Sequence, residues 1–215
     1  MDTRSPAILL IGPTGAGKTP LGQHLETDGF HGRRCAHFDF GTQLRAIAAD
    51  RLFPPGLSPD DLAVIHDSLA TGSLLEDEHF AVAAKILRGF VAARGLCAGD
   101  LVILNGIPRH VGQARDMDRI ASVEAVISLE CSPQVVYERI SRNTGGDRAG
   151  RVDDDLAAIS RKIELFADRT APLLDHYRQR GVPVHRVTIA TDTSPADIVR
   201  QLPRSGGGNT PPQPL

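Results

Sequence analysis

The residues best suited to chemistry lie near the N-terminus, in the stretch Gly12-Pro-Thr-Gly-Ala-Gly-Lys-Thr19. Their spacing matches the pattern G-x-x-x-x-G-K-[ST], in which a glycine-rich turn joins a strand to a helix. The main-chain amides of such a turn bind an anion, and its glycines let the backbone approach phosphates closely. The pattern predicts a triphosphate-binding loop that contains Gly12, Thr14, Gly15, Ala16, Gly17, Lys18 and Thr19.

Two side chains of this stretch would have distinct tasks. Lys18 would reach the β- and γ-phosphates of the nucleotide, and the Thr19 hydroxyl would bind Mg²⁺. Pro20 falls in the first turn of the following helix, where a missing N–H costs little. We therefore expect a nucleoside triphosphate and Mg²⁺ as the ligands of this loop.

The sequence contains five apolar runs that are separated by helical patterns. These elements must form the fold that positions the loop. Such an alternation indicates an α/β fold with a five-stranded parallel sheet and helices on both faces. The helical stretch over about 42–98 is too long for a simple crossover, and we expect it to form a small lobe. The segment 153–181 reads as one long helix. The predicted strands are Ala7–Gly12, Arg34–Phe40, Asp100–Gly106, Ala125–Cys131 and Val182–Ile189.

The composition argues against several classes of partner. The net charge is -2 and 41% of the residues are hydrophobic, so nothing indicates broad adhesion to nucleic acid or membranes. No stretch approaches the roughly 20 apolar residues that span a bilayer. The 3 cysteines are scattered and form no CxxC pair, which favours a reducing, cytoplasmic setting. We expect one domain over 5–202 and a disordered Gly/Pro-rich tail over 203–215.

Four motifs follow one another along the chain: "GPTGAGKT", "GTQLR", "NGIPRHVGQARDMD" and "ERISRNTGGDRAGRVDDD". They resemble the motifs of nucleoside monophosphate kinases, and most of all those of adenylate kinases, from Ala7 to about Leu202. The resemblance implies a P-loop NTPase fold with a helical nucleotide-binding insertion and a short lid over about 140–152. It also implies transfer of the γ-phosphate of ATP to a nucleoside monophosphate, with AMP as the preferred acceptor.

The resemblance also assigns individual residues. Arg45 and Arg109 would grip the phosphate of the acceptor from opposite sides, and Gln113 would hydrogen-bond the acceptor base. The implied acceptor-binding residues are Phe40, Gly41, Arg45, Leu74, Leu75, Gly106, Arg109 and Gln113. The implied catalytic cations are Lys18, Arg109, Arg139, Arg151 and Lys162.

A charge argument supports this assignment without the family. Two nucleotides that meet phosphate to phosphate repel each other, so the transferring group needs surrounding cations. The acceptor phosphate is already ionised, so catalysis rests on positioning and electrostatics and needs no general base. Arginine suits this task because its planar fork binds phosphate oxygens in pairs. The alternative for any single arginine is a solvated surface side chain.

Asn105 departs from the family pattern at the expected metal site. It stands where these kinases usually carry an aspartate before Gly-x-Pro-Arg, and that aspartate orders Mg²⁺ through water. An amide lacks the charge, so we expect weaker metal binding unless another carboxylate helps. Asp39 is the candidate, because the ends of parallel strands gather near the phosphate loop. The alternative is that Asp39 caps the next helix.

Three further departures concern the acceptor and the turnover. Phe40 replaces a small hydroxyl residue, Thr42 replaces an acidic residue, and Lys162 replaces an arginine and so lacks its fork. Two alternatives therefore stay open: a small-molecule kinase of the shikimate-kinase type, and a nucleotide-binding protein with little turnover. No heptad pattern or surplus apolar stripe remains, so we expect a monomer.

Overall fold

The central feature of the computed structural model, which describes residues 4–72, 75, 77–147 and 156–203, is one parallel sheet of five strands. The strand order is β2-β3-β1-β4-β5, so the strand that precedes the glycine-rich loop lies in the middle. Helices cover both faces of the sheet, which is why its strands are continuous apolar runs in the sequence. The strands are β1 Ser5–Ile11, β2 Cys35–Asp39, β3 Leu101–Asn105, β4 Ala121–Glu130 and β5 Val184–Thr188.

Helices cover both faces of this sheet, which confirms the predicted fold class. Leu9 belongs to a core cluster that includes residues of α4, whereas Ile8 belongs to a second cluster with residues of α1 and α9. This division follows the alternation of side chains along a strand. The helices are α1 Lys18–Asp28, α2 Phe40–Ala48, α3 Pro59–Thr71, α4 Phe80–Ala93, α5 Val111–Met117, α6 Pro133–Ser141, α7 Leu156–Leu165, α8 Leu173–Gln179 and α9 Pro195–Gln201.

The expected lobe over 42–98 shares its last helix with the core. Phe90 of α4 packs edge-on against Phe38 of β2, with the two ring centroids 5.1 Å apart. Ile86, in the same helix, is fully buried in the cluster that contains β1 and β3. Helix α4 therefore acts as a crossover helix on the sheet. The buried residues of α2 and α3 belong to the same core cluster, and the lobe over 42–98 stays a prediction.

The prediction of one long helix over 153–181 is wrong. Helix α7 ends at Leu165, a π-helical turn spans Phe166–Thr170, and α8 begins at Leu173. The amide of Ala171 donates to the carbonyl of Phe166 over 2.8 Å, which is the wider spacing of a π-turn. Pro172 explains the break, because it has no N–H and its ring would clash with the carbonyl one turn earlier.

Two sequence-based expectations lie outside the described residues. The last part of the predicted lid, 148–152, falls in the range 148–155, and all of the predicted tail except residue 203 falls in 204–215. Within the described part of the chain, no helix is both long enough and apolar enough to cross a membrane.

Candidate active site

The carboxyl ends of β1, β2 and β3 meet at one edge of the sheet. Asn105 at the end of β3 pairs with Asp39 of β2 on one side and with Leu10 of β1 on the other. In parallel sheets, ligands bind in the crevice beyond this edge. A cleft of about 270 Å³ opens there, between the glycine-rich loop, α2 and the start of α5.

The backbone of the glycine-rich loop has the shape that its sequence predicts. Gly15 and Gly17 have φ angles of 74° and 100°, which are strained for residues with a side chain. A Cβ on Gly12 would lie 2.8 Å from the carbonyl oxygen of Leu129. These glycines therefore allow the turn and its close approach to β4. Helix α1 begins at Lys18, directly after the loop, so its N-terminal amides face the cleft.

The Lys18 ammonium lies over the loop. Its Nζ donates hydrogen bonds to the carbonyl oxygens of Gly12 and Pro13, at 2.7 and 2.8 Å. The helix N-terminus and this cation together make the loop electropositive. Such a surface suits the anionic phosphates of a nucleotide.

Asp39 caps α2, one of the two roles that the sequence left open, and its second oxygen faces Thr19. Its Oδ1 accepts a hydrogen bond from the amide of Thr42 and caps α2, while its Oδ2 accepts one from the Thr19 hydroxyl at 2.8 Å. Burial alone would raise the pKa of Asp39, but the hydrogen bonds from Thr42 and Thr19 outweigh it and lower the pKa. The carboxylate therefore stays ionised beside the phosphate loop.

Asn105 lies against the same pair. Its Nδ2 donates to Asp39 Oδ2 at 2.8 Å and to Thr19 Oγ1 at 3.1 Å. The structure thus brings together all three residues that the sequence nominated for the metal. However, Asn105 presents N–H groups to its neighbours there, and an N–H cannot ligate a cation. Elsewhere in the described residues, no group of three or more His, Cys, Asp and Glu side chains could hold a metal.

Arg109 and Arg45 line the opposite side of the cleft. Burial lowers the pKa of the Arg109 guanidinium, yet an arginine keeps its charge at neutral pH. Across the described ranges, neither guanidinium forms an ion pair with a carboxylate. Arg45 donates from Nη2 to the Thr42 hydroxyl at 3.1 Å. Two cations without counter-ions therefore face the phosphate loop.

Gln113 is buried, and both ends of its amide are engaged. Its Oε1 accepts from the amide of Arg109 at 2.8 Å, and its Nε2 donates to the carbonyl of Leu75 at 2.7 Å. His110, which the sequence gave little reason to select, caps α5 through Nδ1 and donates from Nε2 to the same Leu75 carbonyl at 3.2 Å. Contact of Gln113 with an acceptor base stays a prediction. In the structure, the Gln113 side chain holds the main-chain amide of Arg109.

Phe40, Gly41 and Gly106 form a narrow part of the cleft. Phe40 is buried at the start of α2, and a Cβ on Gly106 would lie 3.6 Å from that of Phe40. A Cβ on Gly41 would lie 3.2 Å from Nη1 of Arg45. Small residues at 41 and 106 therefore leave room for Arg45 and for a ligand beside the Phe40 ring.

Comparison with known proteins adds independent information. A family model described as an AAA domain matches residues 8–159, from β1 into α7. The adenylate kinase of Xanthomonas campestris pv. campestris (strain 8004) is 32% identical over 183 residues, covering 81% of this chain and 86% of that protein. The adenylate kinase of Synechococcus sp. (strain CC9311) is 31% identical over 188 residues, with the same coverage. The chain belongs to the adenylate kinase family.

Membership of the adenylate kinase family confirms the resemblance drawn from the four motifs. Most of the residues that the motifs nominated line a single cleft, although their individual roles stay predictions. Those that line it are Gly12, Thr14, Gly15, Gly17, Lys18, Thr19, Asp39, Phe40, Gly41, Arg45, Leu75, Asn105, Gly106, Arg109, Gln113 and Lys162. Leu74 and Arg151 lie outside the described residues.

Arg139 lies behind the phosphate loop, and Ala16 is a buried residue of the loop itself. Arg139 is 4% exposed, and its Nε donates to the carbonyl of Gly15 at 3.1 Å. Its Nη1 donates to the carbonyls of Ala190, Thr191 and Thr193 at 2.8, 3.1 and 3.1 Å. The catalytic role that the family implies stays a prediction, and the geometry favours a brace that holds the loop.

Several residues of the cleft were not nominated from the sequence. Asp147 lines it from the lid side, and Phe166 and Thr170 line it from the π-turn. The Thr170 hydroxyl donates to the carbonyl of Arg109 at 2.9 Å and so ties the π-turn to the acceptor side. Pro172 marks a break in the helical pattern, but the sequence does not show that a π-turn precedes it or that this turn reaches the cleft. Asp147 gave a weak signal, as an acid next to the basic lid motif.

Proposed function

We propose that this protein transfers the γ-phosphate of ATP to a nucleoside monophosphate, with AMP as the preferred acceptor, and so forms two molecules of ADP. One observation carries the proposal: a single cleft holds the phosphate loop on one side and Arg45 and Arg109 on the other, and neither arginine pairs with a carboxylate of the described residues. The similar proteins named adenylate kinase support the same reaction.

The charges of the cleft suit this chemistry. A buried cation without a counter-ion costs free energy, and a bound phosphate removes that cost. Arg109 would therefore bind the acceptor phosphate, while Lys18 and the N-terminus of α1 would bind the triphosphate. The two phosphate groups held between these cations would react by in-line displacement. The protein contributes their positioning and fixed positive charge.

The residues beside the loop fit Mg²⁺. This cation prefers oxygen ligands, and it keeps several waters while one or two carboxylates hold it. The Thr19 hydroxyl and the ionised Asp39 carboxylate lie 2.8 Å apart at the edge of the cleft and would hold it. When bound, Mg²⁺ would neutralise charge on the β- and γ-phosphates. The side chains of Thr19 and Asp39 orient each other before any ligand arrives.

The test is a product assay with ATP, Mg²⁺ and a panel of AMP, GMP, CMP, UMP, deoxynucleoside monophosphates and shikimate. We expect ADP to form fastest with AMP. Product from shikimate alone would favour the shikimate-kinase type instead. Tight ATP binding without any product would favour a nucleotide-binding protein with little turnover.

Three further expectations belong to this proposal. The free cysteines Cys35, Cys97 and Cys131 are consistent with a reducing cytoplasm. The near-neutral net charge of -2 supports a small-molecule substrate over nucleic acid. A monomer is expected, and sedimentation at micromolar concentration would test it.

A further inference from the structure

A row of four polar side chains crosses the carboxyl edge of the sheet, from the interior to the cleft. His37 is the innermost, Asn105 follows, and Asp39 and Thr19 border the phosphate loop. Asn105 Nδ2 lies 3.4 Å from His37 Nε2 and 2.8 Å from Asp39 Oδ2. Each member therefore touches the next, although the residues come from α1, β2 and β3.

The chemistry of the row fixes the orientation of the Asn105 amide. The Asp39 carboxylate only accepts hydrogen bonds, so the group that faces it at 2.8 Å must be the NH₂ of Asn105. A reversed amide would place two acceptor oxygens against each other at that distance. His37 Nε2 lies 3.4 Å from the same nitrogen, a contact that a His37 ring with its proton on Nδ1 could accept.

His37 itself has no room to move. It is 8% exposed, and helix α1 passes so close that a Cβ on Gly22 would lie 2.2 Å from the ring. The imidazole therefore forms a rigid support for Asn105. Asn105 in turn is 4% exposed, so its amide has no alternative partners in solvent.

We infer that Asn105 and His37 are positioning residues that hold the Asp39 carboxylate against Thr19, so that the metal-facing carboxylate of this chain comes from the end of β2. The inference rests on the proposed use of Mg²⁺·ATP. In this arrangement the amide at position 105 does not ligate the metal. It supplies the hydrogen bond that keeps a single carboxylate aimed at the cleft.

The test exchanges the two side chains and measures metal binding without turnover. The variants are Asp39→Asn, Asn105→Asp and the double exchange, with Asp116→Asn as a control on the surface. Asparagine at position 39 can still cap α2. Thermal stabilisation by ATP is measured at increasing Mg²⁺ concentrations and compared with the stabilisation by ATP in EDTA. The readout is the Mg²⁺ concentration at which half of the additional stabilisation is reached.

We expect Asp39→Asn to raise this Mg²⁺ concentration about 10-fold or more. A loss of metal affinity of this size is typical when a side chain that supports a metal site is replaced. Stabilisation by ATP in EDTA should stay unchanged, and the double exchange should recover most of the Mg²⁺ response. An unchanged Mg²⁺ response in Asp39→Asn, or no recovery in a folded double variant, would overturn the inference. Because no acceptor is needed, the result stands whether or not AMP is phosphorylated.

The supporting role of His37 has its own pair of variants. His37→Gln keeps an acceptor that can face Asn105, whereas His37→Leu removes it. We expect the leucine variant to need several-fold more Mg²⁺ and the glutamine variant to stay near the wild type. Equal Mg²⁺ responses in two folded variants would show that His37 only fills space.

Discussion

Arg109 carries a positive charge that no carboxylate neutralises within the described part of the chain. The protein holds it through its backbone: the Arg109 amide donates to Gln113, and the Arg109 carbonyl accepts from Thr170. These two bonds fix the main chain of Arg109 at the edge of the cleft. A fixed main chain limits where the guanidinium can reach, which reduces the ordering that phosphate binding requires.

Replacing Arg109 tests its place on the acceptor side. We expect Arg109→Ala to lower kcat/KM for AMP by about 100-fold or more, because a preorganised charge is lost from the reacting groups. The dissociation constant for ATP should stay the same. The melting temperature should not fall, since an uncompensated buried charge is removed. The measurements are steady-state kinetics, ATP binding by calorimetry and thermal melting.

Arg119→Ala is the matched control for Arg109. Its side chain is 81% exposed and lies near the opposite edge of the sheet, just before β4. We expect wild-type kinetics from this variant. A loss of ATP affinity in Arg109→Ala equal to the loss for AMP would contradict the assignment to the acceptor side.

The phosphate loop could be predicted at single-residue resolution because all of its residues are neighbours in the sequence. The contact of Asn105 with His37 and Asp39 could not, because it joins two strands whose pairing depends on the whole sheet. The sequence indicated that Asp39 might cap a helix or serve the metal. The structure shows that one oxygen caps α2 and the other accepts from the Thr19 hydroxyl, and the metal role stays a prediction.

Helix α1 joins the phosphate loop to the sheet, and Gly22 sets the distance between them. Its missing side chain leaves the space that the His37 ring fills, so α1 lies directly on β2. A glycine in the middle of a helix lowers helix stability, and here close packing offsets that loss.

Gly22→Ala tests this contact at the level of the helix. A Cβ would lie 2.2 Å from His37 Cδ2, and the buried ring cannot move away. We expect the free energy of unfolding to fall by about 1–3 kcal/mol, as for other overpacked cores. The control is Gly99→Ala, where no atom lies within 4 Å of the new Cβ. Urea unfolding that shows equal stability for both variants would refute the packing argument.

Helix α3 begins with a capping box that is linked to α4. Ser58 and Asp61 exchange hydrogen bonds, and Asp61 also accepts from Lys85 of α4 at 2.6 Å. The hydrogen bond from Lys85, followed by that from the Ser58 amide, lowers the pKa of Asp61. A lowered pKa stabilises the fold above the unfolded-state pKa, and this contribution is lost as the pH falls through the folded-state pKa.

Asp61→Asn should therefore matter at neutral pH and not in acid. At pH 7 we expect a loss of about 1 kcal/mol in the free energy of unfolding, in the range of other helix caps. The difference from the wild type should shrink as the pH falls below about 4. Asp60→Asn, one residue earlier in the same turn, is the control without these partners. A difference that persists unchanged in acid would rule out the ionic contribution of Asp61.

The strands could be predicted because a buried parallel strand reads as an uninterrupted apolar run. The long helical segment was predicted without its break, because the apolar periodicity outweighed the signal of Pro172, and only the chain geometry shows the π-turn before that proline. The role of α4 also escaped prediction. Its apolar residues fit either a small lobe or the main core, and tertiary packing decides for the core.

At the scale of the whole molecule, the cleft has two halves built by different parts of the chain. The triphosphate half comes from the β1–α1 loop, and the acceptor half comes from α2 and the segment before α5. A ligand that carries both nucleotides should therefore bind with the sum of both sets of contacts.

A bisubstrate dinucleotide, two adenosines joined by a chain of phosphates, tests this arrangement. At about 100 times its dissociation constant, it should stabilise the fold by about 2.7 kcal/mol. For a chain of this size, the melting temperature should rise by about 5–10 °C. The double variant Arg45→Ala/Arg109→Ala should lose most of this gain while it keeps the gain with ATP. At one fixed concentration of either ligand, an equal gain for ATP and the dinucleotide in the wild type would leave no second nucleotide site.

The contacts of Arg139 have a consequence for how this sequence can vary. Every acceptor that it uses is a main-chain oxygen, in the phosphate loop and in the turn that contains Ala190, Thr191 and Thr193. The side chains of the turn hold these oxygens in place, because Thr193 Oγ1 accepts from the amide of Ala190 and the Thr191 hydroxyl donates to Glu138, both at 2.8 Å. A change at Thr191 or Thr193 should therefore loosen the support behind Gly15, although neither residue lines the cleft.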